Sequence, residues 1–115
     1  MNTAKTFGWV TAVAGVWEIL APFIFGYSAV TGATVDAIIL GILLLGLGLW
    51  TALARSAATV RTLSWIDAVL GLWLILAPFI VGYSGSVGPV VNDIIVGAVV
   101  LVVEVWGAVV AGKNA

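Results

Sequence analysis

The sequence predicts an all-α fold of four transmembrane helices, arranged as two tandem helical hairpins with pseudo-two-fold symmetry along the membrane normal. The first reason is composition: hydrophobic residues make up 63% of the 115 residues and charged residues 8%, against about 25% charged in an ordinary soluble protein. The second is a set of four apolar runs, each long enough to cross about 30 Å of hydrocarbon. The third is an internal duplication with an offset of 56 positions. Residues 1–115 are therefore expected to form a single transmembrane domain.

Repeat 1, residues 6–54, contains the first predicted hairpin. Its helices run over residues 6–25 and 33–54, and a short turn over residues 27–32 joins them. We expect the first helix to be retained in the membrane, because its apolar run ends in aromatics and lacks the small-residue cleavage pattern of a signal peptide. Asp36 falls in the first turn of the second helix, where the helix dipole favours an acidic side chain.

Repeat 2, residues 62–112, contains the second hairpin and follows a polar linker at residues 55–61. Its helices are predicted over residues 62–81 and 89–111. Pro89 suits the first position of the last helix, where its missing N–H costs no hydrogen bond. None of the four predicted helices carries a charged stripe at helical period, so lipid rather than water is expected to surround them.

The two repeats share a twelve-residue phrase, in which an apolar helical run meets a proline and leaves through Gly-Tyr-Ser. The first copy is WEILAPFIFGYS at residues 17–28 and the second is WLILAPFIVGYS at residues 73–84. Each repeat contains two crossings, so both copies enter the membrane from the same side and are parallel rather than inverted repeats. The motif positions that recur are Trp17/Trp73, Pro22/Pro78, Phe23/Phe79, Gly26/Gly82 and Tyr27/Tyr83.

The basic residues predict the orientation. Every one of them lies at the N-terminus, in the central linker or at the C-terminus, which share one side of the membrane when there are four crossings. The positive-inside rule therefore predicts a multi-pass protein of the cell (inner or cytoplasmic) membrane with both termini and the linker in the cytoplasm. The residues behind this prediction are Lys5, Arg55, Arg61 and Lys113, and the tryptophans expected at the same interface are Trp9, Trp50, Trp65 and Trp106.

Two copies of a Trp-x-x-Leu-x-Pro-aromatic hairpin, each followed by an Asp or Asn that opens the second helix, resemble the SPW-repeat family. That family comprises small bacterial and archaeal membrane proteins named for a Ser-Pro-Trp motif. Ala21 and Ala77 stand here in place of the serine, and Phe23 and Phe79 in place of the tryptophan. The resemblance covers nearly the whole chain. It implies two hairpins in a membrane and brings no established activity with it.

Glu18, Asp67 and Glu104 are candidate functional residues because their positions place them at hydrocarbon depth. An ionisable group there costs about 2.5–3.5 kcal/mol on insertion scales and usually marks a pathway or a partner. Neither glutamate is repeated, since Leu74 and Gly48 occupy the equivalent positions. Two interpretations stay open: a proton relay or cation path, and neutral acids hydrogen-bonded across a helix or subunit interface. We expect Asp67 and Glu104 to face the bundle interior or a subunit contact. Side chains that faced lipid instead would exclude a relay.

Two further sets of repeated positions also have a functional and a structural interpretation. Pro22 and Pro78 each free a backbone carbonyl, which predicts either a hinge or coordinating carbonyl, or simply a kink at a helix end. The polar residues that open the second helix of each hairpin predict either an extracytoplasmic cation site or satisfaction of the first-turn N–H groups. Those residues are Asp36, Asn92 and Asp93.

The residue inventory excludes several classes of function. The chain has no histidine and no cysteine, which removes the commonest metal ligand and the usual general base near neutral pH. No catalytic, cofactor-binding or metal-binding residue is therefore predicted, and we expect the protein not to be an enzyme. Four basic residues are too few to neutralise the phosphates of a nucleic acid.

The most direct functional hypothesis is a structural, assembly or accessory-subunit role through helix packing and oligomerisation. The alternative is a small channel or proton-coupled transporter that uses the intramembrane carboxylates. The expected partners are the lipid bilayer and either further copies of the chain or a membrane partner subunit. Small residues that let helix backbones approach support the first hypothesis; they are Ala4, Gly8, Ala12 and Gly15, then Gly41, Gly46 and Gly48, then Gly107, Ala108 and Ala111.

Overall fold

A computed structural model of the protein describes residues 2–24, 31–82 and 87–113. This part of the chain is helical throughout apart from a short link, contains no strand, and has four helices long and apolar enough to cross a membrane. The predicted all-α class with four candidate membrane helices is confirmed. The elements are α1 (Asn2–Ile24), α2 (Thr31–Leu53), α3 (Ala57–Ala77), a π-helical segment (Pro78–Gly82) and α4 (Val87–Lys113). Of the repeated phrase, Gly26, Tyr27 and Tyr83 lie outside the described residues.

The helices pack as two hairpins that lie side by side. α1 packs along α2 and α3 along α4, and the two hairpins meet through contacts of α1 with α4 and of α2 with α3. The molecule measures 44 × 20 × 15 Å, so it is long enough to cross a bilayer core of about 30 Å. We call the end where residues 54–56 join α2 to α3 the linker end, and the end where α1 and α3 terminate the turn end.

Glycines close both hairpins by bringing helix backbones into contact. A Cβ added at Gly15 would lie 2.6 Å from the carbonyl oxygen of Gly41, and one added at Gly71 would lie 2.9 Å from that of Gly97. These two pairs are repeat-equivalent, so both hairpins have the same crossing. The predicted small-residue seams therefore close within one chain. Gly46 is the exception, because nothing lies within 4 Å of its added Cβ.

The helices begin earlier than the sequence predicted. α3 begins at Ala57, because Ser56 is extended (φ −96°, ψ 132°) and its side chain accepts a hydrogen bond from the Thr59 N–H at 3.4 Å. The predicted linker over residues 55–61 is correspondingly shorter. α2 and α4 also begin earlier, which places Asp36 more than one turn inside α2 rather than in its first turn. The physical reason is that backbone groups in hydrocarbon need internal partners, so helices extend as far as they can.

The two repeated prolines both lie where a helix ends. Pro22 is buried in the last turn of α1, which finishes at Ile24. Pro78 directly follows α3 with helical angles (φ −55°, ψ −33°) and opens the π-helical segment. A proline lacks the N–H that would continue the α-helical pattern, so a wider turn after Pro78 is a reasonable consequence. The structural interpretation of both prolines fits these positions.

Candidate functional site

Polar side chains lie inside this bundle and large apolar side chains lie outside it. Glu18, Asp67 and Glu104 are each 0% exposed, whereas Phe23 and Phe79 are each 62% exposed. In water this arrangement would be costly twice over, since it hides charges and exposes aromatic rings. In lipid the exposed aromatic rings are no longer costly. Burial of the Asp67 and Glu104 carboxyl groups agrees with the expectation that they face the bundle interior.

The first group of buried polar residues, the turn-end cluster, joins the two repeats by a pair of reciprocal hydrogen bonds. The indole N–H of Trp17 donates to Asn92 Oδ1 at 2.7 Å, and that of Trp73 donates to Asp36 Oδ1 at 2.8 Å. Trp17 and Trp73 are repeat-equivalent, and so are Asp36 and Asn92. Each repeat therefore supplies the donor for the other repeat's acceptor. The cluster as a whole consists of Trp17, Glu18, Asp36, Trp73, Asn92 and Asp93.

Asn92 is the centre of the turn-end cluster. Its oxygen accepts from Trp17, while its amide nitrogen donates to Glu18 Oε1 at 2.9 Å and to Asp93 Oδ1 at 3.3 Å. An asparagine amide has two N–H donors and one acceptor oxygen, and in Asn92 both donors and the oxygen are engaged. Glu18 Oε2 is buried without a hydrogen-bond partner among the described residues.

The second group, the linker-end cluster, draws residues from all four helices. The Thr11 hydroxyl of α1 donates to Glu104 Oε1 of α4. The Thr51 hydroxyl of α2 donates to its own helix at Leu47 O, 2.8 Å away, and lies 3.3 Å from Asp67 Oδ2 of α3. Helices from both repeats thus meet through oxygen atoms in the bundle interior. The cluster consists of Thr11, Thr51, Ser64, Asp67 and Glu104.

Several oxygens of the linker-end cluster have no hydrogen bond. Ser64 Oγ, Asp67 Oδ1 and Glu104 Oε2 are buried and have no partner within the described part of the chain. The Ser64 hydroxyl and the Asp67 carboxyl group are both near neighbours of Glu104. Buried polar atoms are almost always paired, so a cluster with three such oxygens calls for a functional explanation.

Two members of the linker-end cluster have no polar counterpart in repeat 1. The positions equivalent to Ser64 and Glu104 are Gly8 and Gly48. These two glycines touch, since a Cβ added at Gly48 would lie 2.7 Å from Gly8 O. One pair of equivalent positions is therefore a backbone contact in the first hairpin and a pair of polar side chains in the second.

Open grooves lie on the outside of the bundle. The largest one described, of about 550 Å³, runs between α1 and α4; two others, of about 350 and 460 Å³, lie near the linker end beside α3. We call the first the α1–α4 groove. It is lined mainly by apolar side chains, with Asn92 as a polar exception; its lining includes Trp17, Val87, Gly88, Val91, Asn92 and Ile95.

The structure divides the predicted carboxylates between the two ends. Glu18 lies with Asn92 and Asp93, whereas Asp67 and Glu104 lie together in the linker-end cluster. Asp36, Asn92 and Asp93 are buried, bond to side chains and lie beyond the first turn of their helices, so the predicted first-turn placement does not hold. It assumed later helix starts than the structure has.

Sequence reasoning missed the polar partners of the carboxylates. The apolar pattern of the sequence does not single out Thr11, Thr51 and Ser64, or the indoles of Trp17 and Trp73, as such partners. Two signals were available. Thr11 and Asp67 occupy equivalent positions and are both polar. A buried indole N–H normally finds an acceptor.

Four apolar helices with their polar groups turned inward give this chain the architecture of a small multi-pass membrane protein. The chain belongs to the SPW repeat domain family, whose model matches residues 5–107. The predicted resemblance is confirmed. No curated protein and no solved structure gives a match. Family membership adds the repeated hairpin and supplies no activity.

Proposed function

We propose that this protein is a structural or assembly component of its membrane, a scaffold or accessory subunit that acts through helix packing and oligomerisation. The observation that supports this role is that the described grooves lie on the outer surface of the bundle and not between the helices of a hairpin. Each hairpin is closed by backbone contact at its glycines, while the described grooves open sideways on the outer surface. Surfaces for interaction are thus directed toward neighbours in the bilayer.

The α1–α4 groove has the features of a helix-packing surface. On α4, Val87, Val91 and Ile95 follow one another at four-residue spacing and are 76%, 49% and 58% exposed. Such a row forms a ridge, and Gly88 beside it leaves room for another backbone. An apolar helix of a second copy or of a partner subunit fits this surface.

The proposed location is the cell (inner or cytoplasmic) membrane with both termini and the linker in the cytoplasm. Arg55 and Arg61 are exposed at the linker end, as the positive-inside rule expects of a cytoplasmic side. The tryptophans near this end are also exposed, which suits rings at a membrane interface. They are Trp9 (49%), Trp50 (58%), Trp65 (44%) and Trp106 (59%).

A native mass measurement in mild detergent tests the assembly role with a matched pair of variants. Ile39 and Ile95 are repeat-equivalent and similarly exposed, at 51% and 58%, but only Ile95 lines the α1–α4 groove. We expect the wild type to be oligomeric, Ile95→Trp to fill the groove and lower the mass, and Ile39→Trp to leave it unchanged. A wild type that is monomeric alone and binds no membrane partner would contradict the proposal.

The second candidate function is a small channel or proton-coupled transporter. The specific observation in its favour is that buried carboxyl groups occur at both ends of the bundle, with Glu18 Oε2 and Glu104 Oε2 unpartnered within the described residues. Ionisable groups inside a membrane bundle commonly mark an ion or proton pathway. Proteoliposome flux tests it: wild-type flux that Glu104→Gln removes supports transport, and absence of flux for every ion tested excludes it.

A further inference from the structure

We propose that the linker-end cluster is a binding site for one small monovalent cation of the size and hardness of Na⁺. The inference goes beyond the assembly role and does not require it. It starts from five side chains of four helices, each 0% exposed, that direct oxygen atoms into one part of the interior. The cluster is Thr11, Thr51, Ser64, Asp67 and Glu104.

The hydroxyl groups of this cluster supply three hydrogen atoms, and those of Thr11 and Thr51 already have acceptors. A threonine hydroxyl has a single hydrogen, and that of Thr51 points to Leu47 O at 2.8 Å, the shorter of its two contacts. Its hydrogen bond to Asp67 Oδ2, at 3.3 Å, is the longer of the two and shares that one hydrogen. Ser64 Oγ, Asp67 Oδ1 and Glu104 Oε2 are buried and form no well-aligned hydrogen bond in the described part of the chain, although the Ser64 hydroxyl lies near Glu104. A positive ion among these oxygens would satisfy them together.

None of the basic side chains that the structure describes takes that position. The basic residues of the described chain with described side chains are Lys5, Arg55 and Arg61, all near the linker end and outside the middle of any helix. Carboxylates buried without a protein cation require another source of positive charge. One monovalent cation and one proton together balance the two acids.

The donor set favours a monovalent ion over a divalent one. Two carboxyl groups and three neutral hydroxyls are hard oxygen donors, which exclude soft metals. Mg²⁺ gives up its water reluctantly, and Ca²⁺ takes 6–8 oxygens, commonly with several carboxylates. Within the described residues there is no group of three or more acidic, histidine or cysteine side chains that could hold such a metal.

The duplication limits the protein to one such site per chain. Repeat 1 has Gly8 and Gly48 where repeat 2 has Ser64 and Glu104. Those glycines are in backbone contact, so the first hairpin supplies Thr11 and Thr51 to this site but has neither the carboxylate nor the space for a second one at this end. We therefore expect one cation to bind per chain. A stoichiometry of one distinguishes a specific site from general attraction of ions to the protein.

The first test is the thermal unfolding of the full chain in phosphatidylcholine nanodiscs. The probe is sodium chloride, titrated against choline chloride at constant ionic strength. Because a ligand that binds the folded state stabilises it by mass action, we expect a saturable rise of the unfolding midpoint with sodium. A midpoint that is the same in both salts overturns the proposal, and so does a preference for Mg²⁺ or Ca²⁺ over Na⁺.

The second test uses matched threonines on neighbouring helices. Thr51 and Thr62 both donate to the carbonyl four residues earlier, at 2.8 and 3.0 Å, but only Thr51 is buried and meets Asp67. We expect Thr51→Ala to raise the half-saturating sodium concentration about tenfold, which corresponds to about 1.4 kcal/mol, and Asp67→Asn to remove the sodium effect. Thr62→Ala is expected to behave as wild type.

The two tests together decide whether the linker-end cluster binds sodium. Equal sodium dependence in Thr51→Ala and wild type overturns the ligand set, and the wild-type titration decides the proposal even where a variant does not fold. Native mass of the same samples is read separately. A sodium effect in a monomer refutes assembly while keeping the cation site, and an oligomer without a sodium effect does the reverse.

Discussion

The turn-end and linker-end clusters are both buried and both join the two repeats, but they relate to the duplication in opposite ways. At the turn end, Trp17 and Trp73 bond to Asn92 and Asp36, so equivalent residues make equivalent bonds. At the linker end, Ser64 and Glu104 stand where repeat 1 has Gly8 and Gly48. The turn end keeps the symmetry of the duplication and the linker end breaks it.

This difference separates what holds the fold from what can serve a function. At the turn end, the two indole hydrogen bonds have both donor and acceptor within the chain. Glu18 Oε2 is the buried oxygen at this end that has no hydrogen bond within the described residues. The linker-end cluster has three buried oxygens without a hydrogen bond in the described residues. Such oxygens cost folding free energy unless a ligand satisfies them. We therefore assign the turn end to holding the repeats together and the linker end to binding.

Gly48→Glu, which copies the residue of repeat 2 into repeat 1, is expected to have the largest effect. An added Cβ at this position would lie 2.5 Å from Ala12 N and 2.7 Å from Gly8 O. Backbone atoms cannot move aside cheaply, so we expect a loss of about 3 kcal/mol or more in the free energy of unfolding. Unfolding in a denaturing-detergent titration measures it.

The matched control for that variant is Gly46→Ala, on the same helix. Nothing lies within 4 Å of a Cβ at Gly46, so the stability is expected to stay within about 0.5 kcal/mol of wild type. If Gly48→Glu were as stable as Gly46→Ala, the asymmetry of the two hairpins would not be imposed by backbone contact.

Removal of one indole N–H at the turn end is expected to have an intermediate effect. Trp17→Phe and Trp73→Phe should each cost about 1 kcal/mol, the usual size of a side-chain hydrogen bond between membrane helices. Trp73→Phe should cost at least as much, because its acceptor is a carboxyl group. Trp9→Phe is the control, since Trp9 is 49% exposed. An equal loss in all three variants would assign the effect to ring size instead.

Asp36→Asn is expected to have the smallest effect, because it makes repeat 1 identical to repeat 2 at this position. Asparagine keeps the oxygen that accepts from Trp73, as Asn92 does for Trp17. We expect a change below about 1 kcal/mol in the same unfolding titration. A larger loss would show that the two halves of the turn-end cluster are not equivalent and would weaken the comparison between the ends.

The fold could be predicted from the sequence because the features that determine it, apolar runs and an internal repeat, are visible in the sequence itself. Hydropathy and length gave the four helices, and the offset between Trp17 and Trp73 gave the two hairpins. Helix starts were placed too late at Ala33 and Thr62, because polar residues were taken as linker. In the structure these residues are inside helices, whose backbone hydrogen bonds continue to the ends.

The candidate site could be predicted only in part. The cost of burying an acid identified Glu18, Asp67 and Glu104 from depth alone. Which of them meet depends on how the hairpins are rotated and paired, and no local pattern encodes this. Partners such as Thr11 and Thr51 are unremarkable in a sequence, since isolated hydroxyls are tolerated in membrane helices by bonding to their own backbone.

The most direct test of the account is a pair of double-mutant cycles at the turn end, measured by unfolding in lipid-containing micelles. Trp17→Phe combined with Asn92→Leu removes a pair bonded across the repeats, and Trp17→Phe combined with Asp36→Leu removes two residues of the same repeat. Hydrogen bonds across the repeats predict a coupling energy of about 1 kcal/mol for the first cycle and additivity for the second. Additivity in the first cycle, or coupling within repeat 1 instead, would contradict the cross-repeat bonding on which the whole description depends.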